Sequence, residues 1–282
     1  MAVVNSGARV RVATLPAPRR SSCVRLLCVS LALSAAVACA SAPKRPPVGS
    51  LEPDKFLFEN GSRALDDKRW FASREYFRQL VDSYPQSPYR ADAKLGIGDT
   101  YLGERSVESQ LLSINEYREF LSFYPTHPRA DYAQFKLGMS HYYQMRGPER
   151  DQTDTKEAIT ELTAFMTRFP NSPLAPEAKT RLREARDRLS MSEYRVGVFY
   201  YRQRWYPGAA DRFMATLKTD PEFTHRDGIY FHLAQTFLKA GRPAEALPYL
   251  DKLVKEFEQS EFLVTAQKQI DEIKSGALKT VK

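Results

Sequence analysis

Along residues 228–257 (GIYFHLAQTFLKAGRPAEALPYLDKLVKEF), apolar side chains recur at spacings of three and four. Tyr230, Leu233, Ala234 and Phe237 form one stripe, Ala246, Leu250 and Leu253 form a second, and Gly241 stands between them. That is the helix period interrupted by a turn residue, so the segment predicts two helices packed as a hairpin. The small residues Ala234 and Ala246 let the helices approach, and the large ones fill the space beside them. The same slots recur upstream. They hold Gly61, Ala64, Ser73, Phe77 and Leu80, then Gly98, Tyr101, Ser113, Tyr117 and Phe120. Next come Gly138, His141, Ala158, Leu162 and Phe165, then Gly197, Tyr200, Ala209, Phe213 and Thr216. A mid-helix glycine costs about 1 kcal/mol against alanine. Its presence at one slot in four of the five units predicts close helix contact there.

The unit boundaries carry their own signature. VDSYPQSPYRADA (81–93), LSFYPTHPRADYA (121–133) and MTRFPNSPLAPEA (166–178) each end an apolar helix on aromatic-Pro, continue as polar-x-Pro and enter an Ala-rich helix. LKTDPEFTHRDGI (217–229) and VKEFEQSEFLVTA (254–266) are weaker copies. Proline lacks an N–H and clashes with the preceding turn, which ends a helix. The anchors Pro85, Pro125, Pro170, Pro221 and Glu258 lie 40, 45, 51 and 37 residues apart. A tetratricopeptide (TPR) unit has a period of about 34 residues, so each reads as such a unit with an insertion. No alternating strand pattern bounded by turns is visible. The expected fold is all-α: a TPR-like helical-hairpin solenoid of about five repeats, closed by a capping helix at 261–275 with a polar outer face.

The N-terminal segment follows a different pattern. Residues 1–38 carry five arginines and no acid, then the short apolar run Leu26 to Ala38. Roughly 20 apolar residues are needed to span a bilayer. A basic start, a short apolar core and small residues before a boundary describe a secretory signal peptide, here 1–38. Ala36-Val37-Ala38-Cys39 resembles a bacterial lipobox. That resemblance implies cleavage before Cys39, an S-diacylglycerol on its sulfur and an N-acyl group on its new amine. A Pro-rich tether, 39–52, follows. Several acyl chains on one residue exceed the two signals that stable anchoring needs.

Processing changes the charge argument. The 282-residue chain has a formal charge of +8 and a pI near 9.3, which would suggest nucleic acid or an anionic surface as partner. Removal of the leader takes away five of those charges and leaves +3, so no nucleic-acid partner is expected. Cys23 and Cys28 leave with the leader, and Cys39 is the last of the three cysteines.

Catalytic and metal motifs are missing from the sequence. It contains no G-x-S-x-G, P-loop, G-x-G-x-x-G or H-E-x-x-H. His225 and His232 could share a helix face but lack a third ligand, and His141 falls in a packing slot. The run RLREARDRL (181–189) mixes signs and reads as a solvated face. VGVFYYRQRWYPG (196–208) holds five aromatic residues and two cations, either a crowded core or a partner face. The expectation is a non-enzymatic interaction protein with no metal and no cofactor beyond the lipid on Cys39.

Three stretches are more specific than a generic TPR. They are YPTHPRADYAQFKLGMSHY (124–142), the insertion GPERDQTDTKEA (147–158) and FPNSPLAPEAKTRLREARDRLSMSEYRVGVFYYRQRWYPGAADRF (169–213). The last joins the third and fourth units through one long helix, 174–203, that ends in Glu193-Tyr194-Arg195-Val196-Gly197-Val198-Phe199-Tyr200. Together they resemble the BamD/ComL family of outer-membrane lipoproteins across about 39–275. The resemblance implies a lipid-anchored protein on the periplasmic face of the outer membrane, part of the machinery that folds and inserts β-barrel proteins. It implies an N-terminal half (53–173, units one to three) that receives the aromatic-ended strand of an unfolded barrel protein. It also implies a C-terminal half (174–282, units four, five and cap) that docks on the POTRA domains of BamA, beside other machinery subunits. Carried over to this sequence, Phe58, Ser62, Leu65, Leu95, Asp99, Leu102, Phe135, Met139 and Tyr142 are the substrate-groove candidates, and Arg212 is the BamA-facing one. The competing expectation is a periplasmic TPR lipoprotein that coordinates cell-wall synthesis or division; the long helix and the insertion argue against it.

Overall fold

The computed structural model describes residues 45–277. The leader, Cys39 and residues 39–44 of the tether lie outside that range; 45–52 contain a turn and no helix. Eleven helices follow: α1 (Pro53–Asp66), α2 (Trp70–Ser83), α3 (Arg90–Glu104), α4 (Val107–Phe123), α5 (Ala130–Tyr142) and α6 (Thr153–Arg168). Then come α7 (Ala175–Arg202), α8 (Tyr206–Thr219), α9 (Arg226–Lys239), α10 (Pro243–Glu256) and α11 (Leu263–Lys274). No strand occurs among the described residues. Consecutive helices pair as five hairpins, and α11 closes the last one.

The slot residues meet as the periodicity predicts. A Cβ on Gly61 would stand 2.6 Å from the Phe77 ring, one on Gly98 2.8 Å from Tyr117, and one on Gly197 2.5 Å from Phe213. Phe77, Tyr117 and Phe213 are buried, so each ring lies where only a glycine leaves room. In the third hairpin Gly138 faces Leu162. In the fifth, the slot pairs the smaller side chains Ala234 and Leu250, both buried. Small and large residues thus face one another across each hairpin.

Four of the five loops that follow a hairpin are fixed in a way that periodicity does not show. The side chains of Ser87, His127, Ser172 and Ser260 accept the backbone N–H two residues on. An aspartate near the start of the preceding first helix then reaches forward one repeat. Ser172 Oγ donates to Asp131 at 2.6 Å, Ser260 Oγ to Asp227 at 2.7 Å, and Arg129 to Asp92 at 3.0 Å. The Ser87 hydroxyl likewise holds the Asp54 carboxyl below its ordinary pKa. Replacing Ser172 with alanine is expected to cost about 1–2 kcal/mol, because a charge-assisted bond is lost and a half-buried carboxylate is left short of a donor. A denaturant titration would show it as a shifted midpoint with an unchanged slope.

The turns inside the hairpins hold a second regularity. Lys68 (φ 58), Arg105 (φ 60) and Arg204 (φ 61) are left-handed. All three occupy the turn between first and second helices, where the fifth hairpin has Gly241 (φ 72). The left-handed region costs a side-chain-bearing residue about 1–2 kcal/mol.

The long helix α7, 28 residues and about 42 Å at 1.5 Å per residue, belongs to two units at once. Ala178 and Leu182 pack with Phe165 and Leu162 of the third hairpin, while Gly197 packs against Phe213 of the fourth. The 174 boundary therefore falls at the start of a continuous helix, with no linker between the halves. The charged run 181–189 is more than a solvated face. Arg183 binds Asp187 and Asp220, Arg188 donates to the Arg146 carbonyl at 2.8 Å, and Arg181 and Glu184 engage Tyr142. The insertion is tied to α7 a second time by the Arg195–Glu149 ion pair.

Candidate interaction site

A cleft of about 570 Å³ opens where α1, α3 and α5 lie side by side. Leu65 and Leu102 form apolar parts of its lining, and Trp70, Tyr132 and Tyr143 give it aromatic sides. The Trp70 ring lies against Gly103, where a Cβ would stand 2.7 Å from the ring. Three cations also line the cleft: Lys68 and Arg105 from the hairpin turns and Lys136 from α5. Arg105 lies 5.4 Å from the Tyr143 ring centre and Lys136 lies 5.2 Å from that of Tyr132. Asp99 accepts from the Tyr117 hydroxyl at 2.6 Å and from the Tyr132 hydroxyl at 2.9 Å. Burial pushes its carboxyl above the usual range, and the two hydroxyls oppose that only in part. The tyrosines respond in kind: burial, then the neighbouring Asp99 carboxylate, raises Tyr117 well above 10.

The nine groove candidates do not form one surface. Leu65, Asp99 and Leu102 line this cleft. Leu95 is 0% exposed, Met139 2% and Phe135 4%, so these three are core residues and no ligand can lie on them. Leu95 packs with Tyr117 and Phe120, while Phe135 and Met139 pack with Phe165 and Leu182. Met139 is one repeat on from Asp99, yet it is sealed because α7 lies over that part of α5. Leu102 is itself mostly buried, at 7%, and reaches the cleft only as part of its floor. Phe58 is half-buried and stacks on Tyr89 with ring centres 5.0 Å apart; Ser62, also half-buried, shares α1 with it. Tyr142 faces a separate, smaller cleft shared with Met145, Pro148, Met191 and His225, and its hydroxyl donates to Glu184.

Arg212 lies on the exposed face of α8 and donates to Glu193 of α7 at 2.9 Å. The nearby aromatic run divides. Phe199 (56%) and Trp205 (55%) are exposed, whereas Tyr201 turns inward toward His232. Of the histidines, His141 is buried between Asp154 and Arg118. His232 Nδ1 donates to the Gly228 carbonyl at 2.9 Å and lies 3.0 Å from the Tyr194 hydroxyl, with its pKa lowered by burial. Among the described residues no cluster of three or more His, Cys, Asp or Glu is arranged to hold a metal, and no helix is long and apolar enough to cross a membrane.

The comparisons with known proteins agree with this architecture. The YfiO family, described as outer membrane lipoprotein, matches residues 51–232, and a tetratricopeptide repeat family matches 229–260. The outer membrane protein assembly factor BamD of Caulobacter vibrioides is 28% identical over 225 residues, 79% of this chain and 72% of that relative. The protein of the same name from Vibrio cholerae is 26% identical over 202 residues, 68% of this chain and 81% of that relative. Among solved structures, a thermophilic TPR protein of Thermus thermophilus aligns with 16% identity and a TM-score of 0.34, covering 77% of this chain and 98% of its own. The YfiO match takes in the three hairpins of the cleft, the insertion and all of α7, and on that extent the chain belongs to the YfiO family of outer membrane lipoproteins, that of BamD.

Proposed function

We propose that this chain is an outer membrane protein assembly factor: a TPR scaffold, lipid-anchored through Cys39 at the periplasmic face of the outer membrane, that makes and breaks no bond. The first three hairpins hold a strand of an unfolded barrel protein, and the fourth and fifth dock on the POTRA domains of BamA. The observation that carries the reading is the cleft, which puts an apolar floor and aromatic sides on the half of the array implied to receive substrate. An extended segment with alternating apolar side chains suits such a groove.

The reading is tested by placing a photo-crosslinking phenylalanine analogue at Tyr143, on the cleft, or at Val264, on the exposed face of α11. Unfolded barrel precursors are expected to be captured from Tyr143 and not from Val264. Equal capture from both positions, or none from Tyr143, would remove the cleft from the function.

Docking is tested separately. Arg212→Glu sets a carboxylate beside Glu193 and is expected to reduce co-purification of BamA from native membranes. The Arg212–Glu193 pair is exposed on both sides, so the change should cost no more than about 1 kcal/mol of stability. Precursor capture at Tyr143 should survive it. Undiminished BamA in the eluate would move the docking surface away from α8.

A further inference from the structure

We infer that His232 is an acid-sensitive keystone of the fourth and fifth hairpins: protonation of its ring loosens the seam between α7, α8 and α9 and weakens docking there. The docking part rests on the reading of Arg212 as a BamA-facing residue; the loosening itself does not.

His232 lies on α9, where four parts of the chain meet. Its ring centre stands 5.6 Å from that of Tyr194 and 5.9 Å from that of Tyr201, both on α7. It is 6.2 Å from Phe213 of α8 and 5.9 Å from Phe262 in the loop before α11. Phe231, its neighbour on α9, stacks on the same Phe262 with ring centres 4.4 Å apart. The Nδ1–H donates to the Gly228 carbonyl at 2.9 Å, which fixes the neutral tautomer and puts the lone pair on Nε2. That nitrogen has no hydrogen-bond partner among the described residues. Gly228 is itself held against α7, since a Cβ there would stand 3.0 Å from the Tyr194 hydroxyl. One imidazole thus ties α9 to α7, α8 and the loop.

A neutral ring suits this place and an imidazolium does not. Protonation adds a charge and an N–H at Nε2, where no acceptor is in place. The surrounding rings repay part of that cost. Burial is the larger influence, and the charge of Arg202 on α7 adds to it; the Gly228 carbonyl and Glu261 of the loop act the other way. The balance holds His232 below its ordinary 6.5. Burial pushes the Tyr194 hydroxyl up to about 12 and raises that of Tyr201 as well, so both remain phenols. Asp227 of α9, whose charge reaches Tyr194, accepts from Ser260 Oγ at 2.7 Å, and α8 presents the uncharged Phe213. With the folded value lowered, the unfolded chain takes up this proton first. The stability that neutral His232 provides is therefore complete above about pH 7 and is lost as pH falls from there through the folded value. The docking candidates adjoin the seam. Glu193 and Arg212, paired at 2.9 Å, each precede a ring of the cluster, Tyr194 and Phe213, whose centres are 5.9 Å apart.

The first test uses the full-length protein alone in detergent, followed by NMR of ring-labelled histidine and by amide hydrogen exchange from about pH 7.5 to about pH 5. The His232 ring is expected to titrate with a midpoint below 6.5. Amides of α9 and of residues 257–262 should lose protection over that range, beyond the intrinsic effect of pH on exchange, while those of α2 keep theirs. His232→Phe keeps a ring in the cluster and should abolish the loss. His225→Gln, on the neighbouring loop, should leave it in place. The midpoint is measured on the unaltered protein, so the outcome does not depend on how well a variant folds. A midpoint at or above 6.5, or equal acid loosening in His232→Phe, overturns the keystone. The second test is co-purification of BamA from native membranes at the two pH values. At the lower one the unaltered protein should retain about twofold less BamA than the His232→Phe protein. Equal retention, with the loosening observed, overturns the link to docking and leaves the acid-sensitive seam standing. Absence of BamA at both pH values overturns the docking reading and the link with it, while the ring midpoint still decides the seam.

Discussion

Phe77→Ala is expected to destabilise the first two hairpins by about 3–5 kcal/mol, the range for emptying a buried aromatic site. Phe77 is 1% exposed, and its ring is wedged between two glycines on different helices. A Cβ on Gly61 of α1 would lie 2.6 Å from one ring edge, and a Cβ on Gly96 of α3 would lie 2.7 Å from Cζ. One side chain of α2 thus sets the spacing of α1 to α3, the helices that flank the cleft. Gly96→Ala alone should cost about 1–3 kcal/mol by overpacking, with up to about 1 kcal/mol returned through helix propensity. In the Phe77→Ala background the same substitution should become neutral or stabilising, because its obstacle is gone. That change of sign is the decisive feature of the double-mutant cycle. Repeat arrays lose stability locally, so amide exchange should quicken across α1–α3 and stay unchanged in α9 and α10. Additive losses, or uniform quickening along the whole chain, would show that the ring does not act through these two glycines.

The Gly61 side of that wedge was legible in the sequence and the Gly96 side was not; the cleft was only partly legible. A glycine in each of four repeats, facing a large residue one helix later, is a period-level signal, and it survives as close ring-to-backbone contacts. The stripe of each first helix was also readable. Which edge of the stripe the next helix covers was not, since that depends on where neighbouring axes run. Leu95 shares α3 with Asp99 and Leu102, and Phe135 holds the matching place one repeat later on α5, yet both face the second helices of their own hairpins. The cations of the cleft were missed because the sign of φ leaves no mark on hydrophobic periodicity. Their signal was a comparison between repeats: Lys68 and Arg105 stand where Gly241 stands in the fifth hairpin. The Asp131–Ser172 and Asp227–Ser260 links have the same character, one polar residue answering another a repeat later. Both rules show when repeats are aligned with each other and stay hidden when each helix is considered alone.

The second large effect is expected at the joint of the two halves. Asp220 ends α8 and is 7% exposed. It accepts from Arg183 Nη1 at 2.8 Å and from Ser190 Oγ at 2.6 Å, both on α7. Arg183 also binds Asp187, which in turn accepts the Thr224 N–H at 3.0 Å. The loop after α8 is thereby fixed to the middle of the helix that spans both halves. Asp220→Ala should cost about 2–3 kcal/mol, since several charge-assisted bonds go and Arg183 is left with Asp187 as its main partner; the quarter exposure of Arg183 keeps the figure below that of a fully buried pair. Asp220→Asn retains an acceptor and should cost less. The sign of the pH dependence follows from the shift. Burial alone would raise Asp220, but the bonds from Arg183 and Ser190 outweigh it and hold the carboxyl below 3.8. A depressed pKa gives stability that is complete above the unfolded value and lost as pH falls through the folded one. The gap between the unaltered protein and Asp220→Ala should therefore be full at pH 7 and narrow only below about pH 4. Asp99 and Glu116 act in the other direction: burial raises both, and protonation in acid relieves the cost of keeping them charged. They are shared by both proteins and cancel in the difference. A gap that is constant from neutral pH into the acid range would mean that Asp220 holds the joint by packing, with its charge contributing nothing.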